Sequence, residues 1–508
     1  MYAASIQSTT GTLAGYARKM TQNGRPDMEI ILEDHNEGKT YTTFDPLSGR
    51  VEITAPHEAR FDEIRITLEG TVKTFVENLS PHSTKARTTA THNFLRLSMP
   101  IRESDYPQPR IAEAGRTYTF PFNFVVPDQL LPRSCSHACV SDHVRDAHLR
   151  LPPSMGGRSF SGQDDLTPEM AKVNYAIKVK IVRTRERDGQ EVVLVEGSKK
   201  IHIIPAIAEE PPMSVTHLDK DYVLSKTKSL KKGMFSGKLG KITVTAAQPN
   251  ALVLPAPSAS STMVPGTTMT TVNLRFDPHD SSSQPPRLGG LTTKIKASTF
   301  YAARPAMEVP SHFGMVHQFE STRGVYDTSV PLSSRCVEAV TWTRHTPSPA
   351  YVRRNSASST SSDDCSDEIH ASPPKENKPY YTAEILLPIT LPTSKAWIPT
   401  FHTCILSRSY TIDLSLTIHT PGTGVPASTV ALHLPVQIAA NGNNARRATL
   451  TAEEAAAELA DADEFLRPRV LEMPSPELVG NSVINAGAEL PPSYEDFAVP
   501  RRSVVSRG

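Results

Sequence analysis

Long hydrophobic runs are missing from this chain. Nowhere do about 18 apolar residues follow one another, the length a helix needs to span a bilayer. The stretch from Met1 to Gly15 also lacks the basic and apolar regions of a signal peptide, so the expectation is a cytosolic protein that meets membranes only peripherally. Cysteine is scarce: five scattered residues, an odd number, argue against a disulfide framework and fit a reducing compartment. By the same logic the glycosylation-type triplet Asn78-Leu79-Ser80 carries no meaning here. Net charge is nearly absent, since 54 Lys and Arg against 53 Asp and Glu leave +1, which gives no global reason to expect nucleic acid. Catalytic signatures are missing too. There is no Gly-x-Ser-x-Gly elbow and no His-Glu-x-x-His, and Gly156 to Gly162 lacks the Gly-Lys-Ser/Thr ending of a phosphate loop. Neither an enzyme nor a cofactor is expected.

What the chain does have is period-two alternation. Tyr118, Phe120, Phe122, Phe124 and Val126 alternate with Thr119, Pro121, Asn123 and Val125, and Val173, Tyr175, Ile177, Val179 and Ile181 repeat the pattern. Ile64, Ile66 and Leu68, then Leu95, Leu97 and Met99, add strands, with Asp45-Pro46 and Ser48-Gly49 as turn signals. Farther on, Val272, Leu274 and Phe276, then Ile385, Leu387 and Ile389, the series Tyr410 to Ile418, and Leu432 to Ile438 alternate in the same way. Short strands with turn punctuation and almost no helical period predict an all-β protein of two tandem antiparallel β-sandwiches. The expected boundaries are 1–205 for the first and 230–440 for the second, with a hinge over 206–229 after Pro205, Pro211 and Pro212.

Between and beyond the sandwiches the composition changes. Residues 344–378 are low in complexity and predicted to be a disordered insertion; within them Arg353-Arg354-Asn355-Ser356 has the form a basophilic kinase reads, which makes Ser356 a possible phosphosite. Lys220, Lys226, Lys228, Lys231, Lys232, Lys238 and Lys241 offer either a contact to an anionic membrane surface or a solvated linker. In Cys135-Ser136-His137-Ala138-Cys139, followed by His143 and His148, the side chains suit a tetrahedral zinc site, but the spacing matches no established finger. The reading preferred from sequence is therefore no metal, with Cys139 and Val140 packed under a short helix over about 141–149 and the histidines exposed. Residues 441–508 read as a disordered tail, in which Thr451-Ala452-Glu453-Glu454 is a capping box for a short acidic helix over about 452–466.

That tail contains Pro491-Pro492-Ser493-Tyr494, the PPxY ligand of WW domains. Paired prolines fix φ near polyproline II and lower the entropy lost on docking, so Pro491 and Pro492 can lie in an aromatic groove while Tyr494 enters a neighbouring pocket. Chance predicts about 0.1 such strings in a chain of this composition, so position adds the weight: the motif lies past the last periodic segment, where a partner reaches it without unfolding anything.

The first block also resembles a known family. Thr40-Tyr41 leading into Gly49-Arg50-Val51-Glu52-Ile53, then Ile64 to Gly70, resembles the opening strands of an arrestin N-terminal domain. Tyr118 to Pro127 and Leu151-Pro152-Pro153-Ser154 look like its central aromatic strand and following loop, and Ile405 to Ile412 is similar to the last long strand of an arrestin C-terminal domain. Two sandwiches and a PPxY tail resemble the alpha-arrestins, especially the fungal arrestin-related trafficking adaptors. The resemblance implies recruitment of a WW-domain HECT-type ubiquitin ligase to plasma-membrane transporters or receptors, their ubiquitylation and endocytosis, and a cytoplasmic protein recruited to plasma membrane and endosomes. The alternatives are a structural sorting subunit of the same fold, which has no need of Tyr494, and a signalling scaffold that keeps the WW contact.

Overall fold

Alternation in the sequence becomes alternation of burial in the computed structural model, which describes residues 26–36, 38–77, 86–156, 162–233, 237–257, 266–317, 322–346, 378–420 and 426–443. In the first block lie β1 (Asp27–Leu32), β2 (Thr40–Tyr41), β3 (Pro46–Thr54), β4 (Ala59–Arg60), β5 (Glu63–Glu77), β6 (Arg87–Met99), β7 (Ile111–Ala112), β8 (Thr117–Val125), β9 (Ala171–Thr184) and β10 (Glu191–Ile203). One sheet has the order β1-β3-β8; the facing sheet has the order β2-β10-β9-β5-β6, and β4 pairs with β7 in a small ribbon. Antiparallel register sets Val51 opposite Phe120 and Leu68 opposite Ile177, so the two inner faces fill one core.

The second block contains β11 (Ser225–Lys231), β12 (Lys238–Ala246), β13 (Leu252–Leu254), β14 (Thr267–Pro278), β15 (Arg287–Ala302), β16 (Arg323–Cys336), β17 (Thr343–His345), β18 (Tyr380–Thr390), β19 (Phe401–His402), β20 (Leu406–His419), β21 (Ser428–Val436) and β22 (Ile438–Ala440). Its sheets run β11-β12-β14-β18-β17 and β16-β15-β20-β19, with β21 also on β20. The two helices of the described residues that bear on the site are α1 (Asp142–Leu149) and α2 (His312–His317).

Proline placement follows from its missing N–H. Pro121 lies in β8 and Pro331 in β16, each of which pairs on one side only. A glycine is demanded in the middle of β5: a Cβ on Gly70 would come within 2.4 Å of the Phe94 ring.

Each core borrows from the other block. Ile398, Phe401, Cys404, Ile405 and Leu406 pack into the first core, while Leu166 packs into the second. The described residues of the two blocks accordingly form one compact unit.

Two stretches differ from their sequence reading. The segment taken as a hinge is pinned: Ile207 and Ala440 exchange backbone hydrogen bonds at 2.9 and 3.0 Å, Val223 and His433 do the same, and β11 begins at Ser225. Ser, Thr and Lys gave that strand a solvated look, because an edge strand hides little beyond Leu230. At the start of the expected insertion, Arg344 and His345 belong to β17, opposite Tyr381 and Tyr380. Residues 347–377 lie outside the described residues, as does the expected acidic helix over 452–466.

Candidate functional site at the junction of the sandwiches

Residues that the sequence separates widely meet between the two blocks. From the first comes the loop 134–140 and α1. Ser141 caps that helix by accepting from the Val144 N–H at 3.4 Å, and the buried face Val144, Ala147 and His148 turns inward. The loop is anchored where Ser134 Oγ donates to the Phe94 carbonyl at 2.8 Å, and where the Val140 N–H donates to the Met307 carbonyl of the second block at 2.9 Å. From the second block come β19, which ends in His402, and the turn from it to β20, which carries Cys404.

These pieces bring sulfur and nitrogen atoms together. Cys135 Sγ lies 3.4 Å from His137 Nε2, 3.7 Å from His148 Nδ1 and 3.8 Å from Cys139 Sγ. Cys139 Sγ is 3.9 Å from His148 Nδ1, and Cys404 joins Cys135, His137 and His148 in a set whose ligand atoms all lie within 4.8 Å of one another. The surroundings disfavour charge. Burial, followed by the neighbouring His137, pushes the His148 imidazole down to about 4, and burial pushes the Cys404 thiol up to about 12.

The helix expected over 141–149 is present as α1, Cys139 packs against the core and His143 is exposed as expected, but Val140 and His148 are placed the other way round. His148 is only 2% exposed, and Val140 is 70% exposed rather than packed beneath the helix. The reason is long-range: Phe401 and His402 of the second block cover α1, a contact no local pattern encodes.

A second crossing is made by an arginine. Arg408 is fully buried, and its Nη2 donates to the Leu166 carbonyl at 3.2 Å and to Thr167 Oγ1 at 3.3 Å, with the Asp165 carbonyl at 3.5 Å. The receiving loop is shaped by carboxylates: Asp164 Oδ1 accepts from the Leu166 N–H at 2.9 Å, while Asp165 accepts from the Thr167 N–H at 3.1 Å and the Gly156 N–H at 2.8 Å. Leu166 is thereby held at φ +60°, a region leucine avoids at a cost of about 1–3 kcal/mol. Lys395 Nζ donates to Asp164 at 2.8 Å and, with the loop N–H of Leu166, holds that carboxyl below its usual range. The loop from Asp164 to Thr167 is thus a strained clasp closed on the second sandwich.

Beside the junction runs a groove of about 650 Å³. Exposed Leu218, Met213 and Phe313 line it next to the ion pair of Arg150 with Glu210. Asp221 fixes one wall by accepting from the first two N–H groups of α2, at 2.8 and 3.0 Å, and Lys220 Nζ sits 3.9 Å over the Phe313 ring. Lys226 and Lys231 on β11, and Lys238 and Lys241 on β12, are exposed along that sheet edge. Pro491, Pro492, Tyr494 and Ser356 lie outside the described residues.

Sequence reasoning missed Arg408, Cys404 and the Asp164 clasp. For Arg408 a signal existed: it shares the parity of Tyr410, Ile412 and Leu414, the inward face of β20.

Comparison with known proteins places the first block. Residues 28–201 match the family described as Arrestin (or S-antigen), N-terminal domain, so the first sandwich is of the arrestin fold and the chain is a protein with arrestin-like sandwiches. That fold supports a general role as an adaptor or scaffold in trafficking. A search of curated proteins found no match to the chain.

Proposed function

We propose that this protein is a cytosolic adaptor that brings a WW-domain HECT-type ubiquitin ligase to plasma-membrane transporters or receptors, so that they are ubiquitylated and endocytosed. The observation that carries the reading is the joint occurrence of an arrestin N-terminal domain over 28–201 and the string Pro491-Pro492-Ser493-Tyr494 beyond the second sandwich. In this reading the two sandwiches, clasped by Arg408 and the 164–167 loop, serve as a platform for cargo, while the motif, C-terminal to them in the sequence, serves the ligase.

In this reading the exposed lysines of β11 and β12 support approach to an anionic leaflet, at about 1 kcal/mol for each that reaches the surface. Phosphate at Ser356 would add about −1.5 to −2 charge and weaken that approach. Localisation follows as cytoplasmic, with recruitment to plasma membrane and endosomes when cargo is engaged.

Cells that carry Tyr494→Ala as their sole copy test the proposal. We expect the cargo to keep its surface residence and lose ligand-induced ubiquitylation, with the protein itself present at normal abundance. Normal ubiquitylation and internalisation would reject ligase recruitment and leave the structural sorting subunit as the better reading.

A further inference from the structure

The thiols and imidazoles at the junction have no role in that adaptor reading. We propose that Cys135, His137, His148 and Cys404 bind one structural zinc ion that staples the first sandwich to the second.

The separations carry the case. A tetrahedral site with Zn–S of about 2.3 Å and Zn–N of about 2.0 Å sets adjacent donors about 3.3–3.8 Å apart, about 3.5 Å for a sulfur and a nitrogen. Cys135 Sγ meets that spacing with 3.7 Å to His148 Nδ1 and comes within 3.4 Å of His137 Nε2, and all four ligand atoms fall within 4.8 Å of one another. Cys139 Sγ, 3.8 Å from Cys135 Sγ, stands beside the tetrahedron as a fifth donor.

Two sulfurs and two imidazole nitrogens with no carboxylate select zinc over magnesium or calcium, which want oxygen. Cys135, His148 and Cys404 are buried, as in closed structural sites, and a ring of lone pairs converging without a strong donor is costly to bury unless a cation occupies its centre. His137 is also oriented as a ligand: its Nδ1 lies 2.9 Å from the Ala138 carbonyl and donates there, which leaves Nε2 as a lone pair toward Cys135.

Binding displaces the two thiol protons to solvent, because the thiolates and neutral imidazoles are the ligating forms. Cys135, His137 and His148 come from the first sandwich and Cys404 from the turn before β20, so the ion would fix the two blocks at a point separate from the Arg408 clasp.

The test uses the full chain, expressed with zinc in the medium and dialysed against metal-free buffer. Plasma emission spectrometry should find about one zinc per chain, and Cys404→Ser should bring it below about 0.2, while Cys336→Ser, at an exposed thiol on β16, keeps the wild-type content. Should Cys404→Ser fail to fold, the wild type serves alone. Blocking its thiols with a mercurial should release the zinc stoichiometrically, and cobalt(II) exchanged into the protein should show the intense visible bands of tetrahedral coordination with thiolate-to-metal charge transfer. Less than about 0.1 zinc in the folded wild type, iron or copper in its place, or a Cys404→Ser protein that retains its zinc would overturn the proposal.

Discussion

At the scale of single residues, Arg408 illustrates how a buried cation is tolerated. Its two terminal nitrogens donate to the carbonyls of Asp165 and Leu166 and to Thr167 Oγ1, all from the other sandwich, while its Nε is buried without a hydrogen-bond partner. Arg408→Ala leaves a cavity and orphans those acceptors, so we expect a loss of about 3 kcal/mol in urea unfolding; a loss below about 1 kcal/mol would mean that the clasp holds without it. Gly70 tests packing of the opposite kind. A Cβ there would meet the Phe94 ring at 2.4 and 2.5 Å, which predicts about 1–3 kcal/mol of overpacking for Gly70→Ala and partial recovery in the double variant with Phe94→Leu. His202 gives a pH signature. Burial lowers its imidazole pKa, and Thr40 Oγ1 lies 3.2 Å from its Nδ1. The unfolded chain therefore takes up the proton first, and stability present above about pH 6.5 declines as pH falls from there toward the lowered folded value. Urea midpoints measured at about pH 7.5 and pH 5.5 should fall less for His202→Gln than for the wild type; an equal or larger fall would contradict this assignment.

At the scale of elements, α1 is held by its cap as well as by its buried face. Ser141→Ala removes the acceptor for the Val144 N–H and should lower stability by about 1 kcal/mol, readable as a shift in thermal midpoint, whereas Ser141→Asp should keep it. Strands were legible in the sequence because each buries one face: Phe120, Phe122 and Phe124 alternate into the core as their spacing requires, and β20 does so from Tyr410 to Ile418. β11 was not legible, since apart from Leu230, its one buried residue, it consists of Ser, Thr and Lys on an edge. The junction was legible only in fragments. The cap and helix at 141–149 are local and could be read, but the burial of His148 and the approach of Cys404 depend on docking of two sandwiches far apart in the chain, which no period of two or of 3.6 records. Leu166 at positive φ belongs with them, because its strain is maintained by Asp164 and Asp165 of an irregular loop and by Arg408 on a strand far away in the chain.

At the scale of the molecule, the two sandwiches share residues across their cores, and the 206–224 stretch is tied to β21 and β22 by backbone hydrogen bonds. The central claim is the proposal that ligase capture resides in a short linear motif C-terminal to the sandwiches in the sequence. Pro492→Ala and Tyr494→Ala should each remove it without touching the fold, because the proline ridge and the phenol occupy different parts of a WW groove. A single motif binds weakly, so a tandem array of WW domains should hold an adaptor clustered on cargo far better than one domain holds one chain. The most direct measurement is calorimetric titration of the full-length chain, and of its Tyr494→Ala variant, with the WW-domain array of a HECT-type ligase. The account predicts saturable binding by the first and at least a tenfold weaker interaction, about 1.4 kcal/mol or more, for the second, with identical melting temperatures. Equal affinities would contradict it.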